Sequence, residues 1–201
     1  MSSQEAARSS LARTYRGTET AHASDLRVRS ARNPASKARR ARPSDARAIH
    51  ALVAHYAAQG LLLPRSEAEI RAHVDRFLVV VEGKKLLGCV ALEPYGKELA
   101  EIRSVAVDDA ARGRGLGARL IEHALAEARR RGYARVFATT HAPDIFTQHG
   151  FKAISRHFMP EKIERDCRTC PKSSHCEKLA LVAVLAPERV TLPILQPVIA
   201  L

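Results

Sequence analysis

Arg112-Gly113-Arg114-Gly115-Leu116-Gly117 is the stretch of this sequence best suited to chemistry. Closely spaced glycines let a backbone approach an anion, because no Cβ stands in the way. The first N–H groups of a helix lack intrahelical partners, and the dipole adds roughly half a positive charge at that end. A glycine-rich turn that opens a helix is therefore a phosphate grip. The spacing argues against the two usual nucleotide versions. A P-loop needs Lys and then Ser or Thr, and neither follows Gly117. A dinucleotide fingerprint needs Gly-x-Gly-x-x-Gly and an acid about twenty residues on. Here the glycines alternate, and Arg135-Val-Phe-Ala-Thr139 contains no acid.

A second chemical cluster is Asp166-Cys167-Arg-Thr-Cys170-Pro-Lys-Ser-Ser-His175-Cys176. Cys-x2-Cys is a common half of a zinc site, with Cys176 and His175 as further ligands. Cys167, Cys170 and Cys176 are thus the candidate metal ligands, against free thiols on a loop or a regulatory disulfide. Cys89 lies in an apolar run and reads as a small core residue.

The elements that must position these groups follow from periodicity. Residues 37–42 read as a first strand. Ser44 is placed to cap a helix through 59, with an apolar stripe of Ile49, Leu52, Val53 and Tyr56. Ser66 and Glu69 form a capping pair for a second helix over 66–76. Strands over 77–81 and 86–92 flank a hairpin turn, and a central strand follows over 101–107. The helix over 116–131 buries Leu116, Leu120, Ile121 and Leu125 and ends in three arginines and Gly132. A strand over 135–139, a short helix over 143–149 and strands over 151–156 and 179–185 complete an α/β domain of mixed α+β character, spanning 37–186.

The chain has 201 residues and a net charge of +12. Residues 1–42 hold ten Arg and Lys against three Asp and Glu, so the basic surplus sits mostly in the tail. Residues 1–36 lack the apolar side chains that would offset ordering entropy and read as a disordered basic tail. The segment 187–201 is apolar and proline-rich and suits a sheet edge or the contact of a homodimer. No apolar run approaches 18 residues, so no membrane span is expected. Four cysteines, three of them clustered in 166–177, fit a reducing cytoplasm better than a disulfide framework.

Arg112-x-x-Gly115-x-Gly117, behind the strand Glu101-Ile-Arg-Ser-Val-Ala-Val107, resembles the pyrophosphate loop of the GNAT superfamily of acetyl-CoA-dependent N-acetyltransferases. Phe146-Thr-Gln-His-Gly150-Phe151 resembles that family's closing motif. The resemblance implies a GNAT acyltransferase fold, a mixed sheet splayed between its two central strands, and acetyl-CoA as co-substrate. Gly113, Arg114, Gly115, Leu116 and Gly117 would then bind the pyrophosphate with Arg112, and Val105, Ala106 and Val107 the pantetheine arm. A strand amide would polarise the thioester carbonyl. Glu101 matches the family's general base, which an amine acceptor protonated near neutral pH requires. The family's usual tyrosine acid is missing from 146–149, and His149 reads as a surface residue.

Within that family the sequence looks most like short bacterial amino-acid N-acetyltransferases of the N-acetylglutamate synthase type, on Gly60-Leu-Leu-Leu-Pro-Arg-Ser66, 100–107 and Met159-Pro-Glu-Lys162. That implies L-glutamate as the amine and the first step of arginine biosynthesis. Arg65 precedes a helix N-terminus, where a carboxylate is favoured, and Ser66 stands beside it. Arg103 shares a strand face with Glu101, and Lys162 matches a basic position of the family. Together they form the expected dicarboxylate cradle. Acetylation of another small amine or a protein is the alternative. A zinc module bound to nucleic acid through the basic tail is a rival of another class.

Overall fold

The computed structural model describes residues 36–170 and 173–189. The expected basic tail, apart from Ser36, and the apolar tail beyond Arg189 lie outside the described residues. Among the described residues, seven strands form one mixed sheet: β1 (Ser36–Arg40), β2 (Phe77–Glu82), β3 (Lys85–Pro94), β4 (Leu99–Val107), β5 (Arg135–Thr140), β6 (Lys152–Ile154) and β7 (Leu179–Val184). Their order is β1-β2-β3-β4-β5-β7-β6. All neighbours are antiparallel except β4 and β5, which run parallel.

Helices cover both faces because both faces are apolar. On one side α1 (Ala46–Ala58) sets Ile49, Val53 and Tyr56 against Val79, Cys89, Ala91 and Ala106. After α2 (Glu67–Ala72), the opposite face is covered by α3 (Leu116–Arg130), whose Leu116, Leu120, Ile121 and Leu125 pack on Leu78, Val80, Val90 and Ile102. That i, i+4 stripe is the one expected from the sequence. Short α4 (Asp144–Thr147) and α5 (Pro160–Lys162) follow. Met159, ahead of α5, packs beside α1's side of the sheet with Tyr95, Leu99 and Phe137.

Two features of the central strands create space. Parallel pairing of β4 with β5 covers only Leu99–Glu101 against Arg135–Phe137, and beyond it the strands diverge. The splay expected from the family resemblance is therefore present. β4 also carries a bulge: Cys89 and Ala91 oppose Ala106 and Arg103, leaving one extra residue on β4. Ser104 sits there at φ 54°, a conformation costly for a residue with a Cβ. The bulge exchanges faces, so Val105 and Val107 turn toward the α3 side while Ala106 turns toward α1.

Several boundaries differ from expectation. Ser44 does not cap α1. Pro43 starts a short 3-10 turn instead, and the Asp45 carboxylate takes the Arg42 amide at 2.7 Å. The second helix stops at Ala72, before the weak helix formers Val74 and Asp75, and a 3-10 turn follows. The expected strand over 151–156 shrinks to Lys152–Ile154, because Ser155 caps the next turn by accepting the His157 amide.

Candidate active site

The glycine loop folds as its residues dictate. Gly113 and Gly115 stand at φ 75° and 70°, the left-handed region, and Gly115 is the N-cap of α3. A Cβ on Gly117 would lie 2.8 Å from Ile145 Cδ1, so its smallness lets α3 sit close to α4. Among the described residues, the amides of Gly113 to Ala118 donate to no backbone carbonyl, which leaves a row of outward donors at a helix start. The two arginine side chains are committed elsewhere. Arg112 binds the Tyr56 hydroxyl (3.0 Å) and Asp109 (2.9 Å), and Arg114 binds Glu82 (2.6 Å). An anion at this loop would therefore meet main chain first.

Where β4 and β5 part, a cleft of about 220 Å³ opens, lined by Arg103, Ser104 and Val105 from one strand and Thr139, Thr140 and His141 from the other side. Beyond Glu101 the β4 edge facing β5 carries no ladder, so it can meet a ligand. Of the three strand residues expected to hold a pantetheine arm, Val105 lines the cleft. Ala106 packs against α1, and the Val107 carbonyl accepts the Tyr56 hydroxyl at 2.5 Å.

A larger cavity of about 750 Å³ adjoins the cleft. Leu61 and Leu63, just after α1, form one wall, and Arg156, Met159, Lys162 and Asp166 another. Leu61, Thr139, His141 and Lys178 line both spaces.

Beside the junction lies a buried charge cluster. Glu101 is 1% exposed. Its Oε2 accepts from Lys162 Nζ (2.9 Å) and Arg103 (3.5 Å) and lies 3.1 Å from the Tyr95 hydroxyl oxygen, while Oε1 accepts from the Thr139 hydroxyl (3.2 Å). Lys162 also bonds Asp166 at 2.7 Å, and Tyr95 donates to the same Asp166 oxygen at 2.5 Å. Burial alone would lower the Lys162 ammonium, but Glu101 and Asp166 outweigh it and raise it. Burial opposes the Asp166 charge too, yet Lys162, Tyr95 and Arg165 hold its carboxyl below the usual range. Burial, with Glu101 and Asp166 beside it, pushes the Tyr95 phenol far up. Arg103 lines the cleft, and its buried Nε has no hydrogen-bond partner.

The structure thus joins Glu101, Arg103 and Lys162 but uses Arg65 and Ser66 otherwise. Arg65 pairs with Glu69 one helical turn on, Ser66 caps α2 through the Glu69 amide (3.1 Å), and neither lines either cavity. Lys162 is already shared between two carboxylates. Sequence reasoning missed Arg156 and Lys178, half-buried cations in the larger cavity that form no ion pair among the described residues. Their signal was weak, since each is one basic residue in a loop or at a strand start.

Cys167, Cys170 and Cys176 line the larger cavity with His175, all three as free thiols. Among the described residues no three His, Cys, Asp or Glu side chains converge to hold a metal ion, so the zinc expectation gains no support here. Cys-x2-Cys here makes a turn, the Cys170 amide bonding the Cys167 carbonyl at 3.2 Å, with no ligand shell around it. Burial pushes the Cys167 thiol up, and complete burial takes Cys89, a core residue as expected, to about 12. No helix among the described residues is long and apolar enough to cross a membrane.

Comparison with known proteins agrees with this geometry. The model of the acetyltransferase (GNAT) family matches residues 45–152. An uncharacterized N-acetyltransferase of Chlorobaculum tepidum is 39% identical over 73% of this chain and 95% of its own length. An amino-acid acetyltransferase of Neisseria meningitidis is 33% identical over 68% of this chain, and the match spans only 32% of that enzyme. Among solved structures, Rv2747 of Mycobacterium tuberculosis in complex with CoA superposes with a TM-score of 0.66 at 30% identity, covering 74% of this chain and 99% of that one. N-acetylglutamate synthase of Neisseria gonorrhoeae, complexed with coenzyme A and N-acetyl-glutamate, gives 0.68 at 31% identity, covering 75% and 35%. This chain belongs to the GNAT acetyltransferase family.

Proposed function

We propose that this protein moves the acetyl group of acetyl-CoA to the α-amino group of an acidic amino acid, L-glutamate before others, as the opening step of arginine biosynthesis. The observation that carries this reading is the pair Arg156 and Lys178. These two cations, free of ion pairs among the described residues, line the cavity beside the β4–β5 cleft. Glutamate brings two carboxylates, and two unneutralised cations are what such a ligand needs. Relatives named amino-acid acetyltransferase, and a synthase crystallised with N-acetyl-glutamate, support the same acceptor class.

Acetyl-CoA would lie with its pyrophosphate on the amides of Gly113, Arg114, Gly115, Leu116 and Gly117 and its pantetheine arm in the cleft along Val105. The bulged β4 backbone would face the thioester carbonyl, where a fixed N–H stabilises developing negative charge. Glu101 is the base, but it is too buried to meet the amine directly. Its Oε1 reaches the junction through the Thr139 hydroxyl, which lines both cavities. The amine proton passes to that hydroxyl or a water, and on to Glu101.

Release of coenzyme A thiol, measured across a panel of amines with product identified by mass, tests the acceptor. Glutamate or aspartate should lead; acetylation of lysine or spermidine at equal rates would remove the reading. Gly115→Asp should raise the KM for acetyl-CoA at least tenfold, since it sets an anion against the diphosphate and strains φ 70°. Unchanged cofactor affinity would contradict the loop assignment.

A further inference from the structure

Acetyl transfer leaves a thiolate that must gain a proton. The stretch where a tyrosine acid was sought holds buried Phe146, exposed Thr147 and Gln148, and His149, whose Nδ1 sits 2.7 Å from the Ile145 carbonyl oxygen. The carbonyl carbon arrives from the cleft and the amine from the larger cavity, so bond exchange must occur where the two meet. Leu61, Thr139, His141 and Lys178 line both. An aliphatic hydroxyl is a poor acid, and a lysine ammonium, with a reference value of about 10.4, is better suited to hold a carboxylate than to give up a proton. Imidazole is the side chain that exchanges protons near neutral pH.

His141 is also placed and free for the task. It follows β5 directly, and the Thr140 hydroxyl oxygen accepts the Ala142 amide at 2.9 Å, which pins the backbone on either side of it. The ring is exposed and makes no hydrogen bond or ion pair among the described residues. Other protonatable groups nearby are occupied or misplaced. Tyr95 donates to Asp166 and lines neither space, and the Tyr56 hydroxyl donates to the Val107 carbonyl and accepts from Arg112. The three clustered thiols reach only the larger cavity.

We propose that His141 is the general acid of the reaction, delivering its proton to the sulfur of departing coenzyme A. The neutral amine attacks the thioester carbon and the C–N bond forms. The C–S bond then breaks, its electron pair stays on sulfur, and the imidazolium proton moves to that sulfur. The amine's surplus proton leaves by the Thr139–Glu101 route. The inference rests on the acyl-transfer reading above but on no particular amine.

The test compares His141→Gln with wild type, using acetyl-CoA and whichever amine the panel shows to be fastest. The ring is exposed, so the variant should melt with wild type. Its kcat should fall about 10²- to 10³-fold, the range of a lost general acid. Coenzyme A binding by calorimetry should stay within twofold. The alkaline decline of kcat should flatten, and added imidazole should restore rate in proportion to its protonated fraction. A variant within threefold of wild-type kcat overturns the proposal, as does a loss that imidazole leaves untouched. Wild type that binds coenzyme A yet acetylates no amine overturns the acyl-transfer reading, and this inference with it; an active wild type with an equally active variant overturns the inference alone.

Discussion

Two buried glutamates invite comparison, Glu127 on the helix α3 and Glu101 on the central strand β4. Glu127, on α3, is 8% exposed and gathers Arg40, Arg130 and Arg131, with both carboxylate oxygens taken at 2.6–3.0 Å. It ties the edge strand β1 to α3. Glu101, on β4, is more buried and pairs with two cations, Lys162 and Arg103, which crowd one oxygen. The other meets Thr139, and Thr139 faces the space where a substrate would lie. On the proposed mechanism, neither burial nor ion pairing distinguishes the base Glu101 from the structural Glu127. What separates them is whether one oxygen is left a route to a cavity.

The sharpest way to test that distinction is to neutralise each glutamate in turn. Glu101→Gln should cut kcat by about 10²–10⁴, with coenzyme A affinity retained. Glu127→Gln should leave kcat per folded molecule unchanged and lower stability by roughly 1–3 kcal/mol, since it weakens several charge-assisted hydrogen bonds to guanidiniums that water partly screens. Equal kinetic effects would abolish the distinction. Removing one cation probes the same contrast from the other side. Lys162 joins two carboxylates by itself, so Lys162→Met should cost roughly 3–5 kcal/mol in denaturant unfolding. Arg131 shares Glu127 with two others, so Arg131→Met should cost about 1 kcal/mol or less. Thr139→Val removes the proposed route and leaves the buried Glu101 Oε1 without that partner. A fall of about tenfold in kcat should appear together with a stability loss of roughly 1–3 kcal/mol. An unaltered kcat would return Glu101 to a purely structural role.

The sequence made some of this legible and hid the rest for physical reasons. The glycine loop and the α3 stripe are local: φ preference and a period near 3.6 act within a few residues, so both were readable. Glu101 and Arg103 were readable as a pair because strand alternation places them on one face, and the bulge falls just after them. Asp166, Tyr95, Thr139 and Lys178 were not. Tyr95 comes from the turn after β3 and Asp166 from a segment 71 residues later, and only tertiary packing lets them share a proton. Arg65 shows the converse case. A cation before a helix start invites a carboxylate, but the nearest one was its own neighbour Glu69, one turn along. Cys-x2-Cys has the same limit, since spacing supplies two ligands and not the other half of a shell.

pH gives the gentlest separation of the two networks. Asp166 is held below its ordinary 3.8 in the folded protein, so its pairing stabilises above that value and is lost as pH falls through the lower folded value. Asp166→Asn should therefore be less stable than wild type at pH 7 by about 1–2 kcal/mol, and the two unfolding curves should converge below pH 3.8. Lys162 is raised above 10.5, so its contribution is complete below 10.5 and fades as pH climbs past the folded value. The gap between wild type and Lys162→Met should accordingly be constant across neutral pH and narrow only in strong alkali. The cations around Glu127 are all guanidiniums, which keep their charge there. The smaller gap between wild type and Arg131→Met should consequently persist at the alkaline end where the Lys162 gap closes. Parallel narrowing of both would mean that general unfolding, rather than loss of the ammonium, sets the alkaline limit.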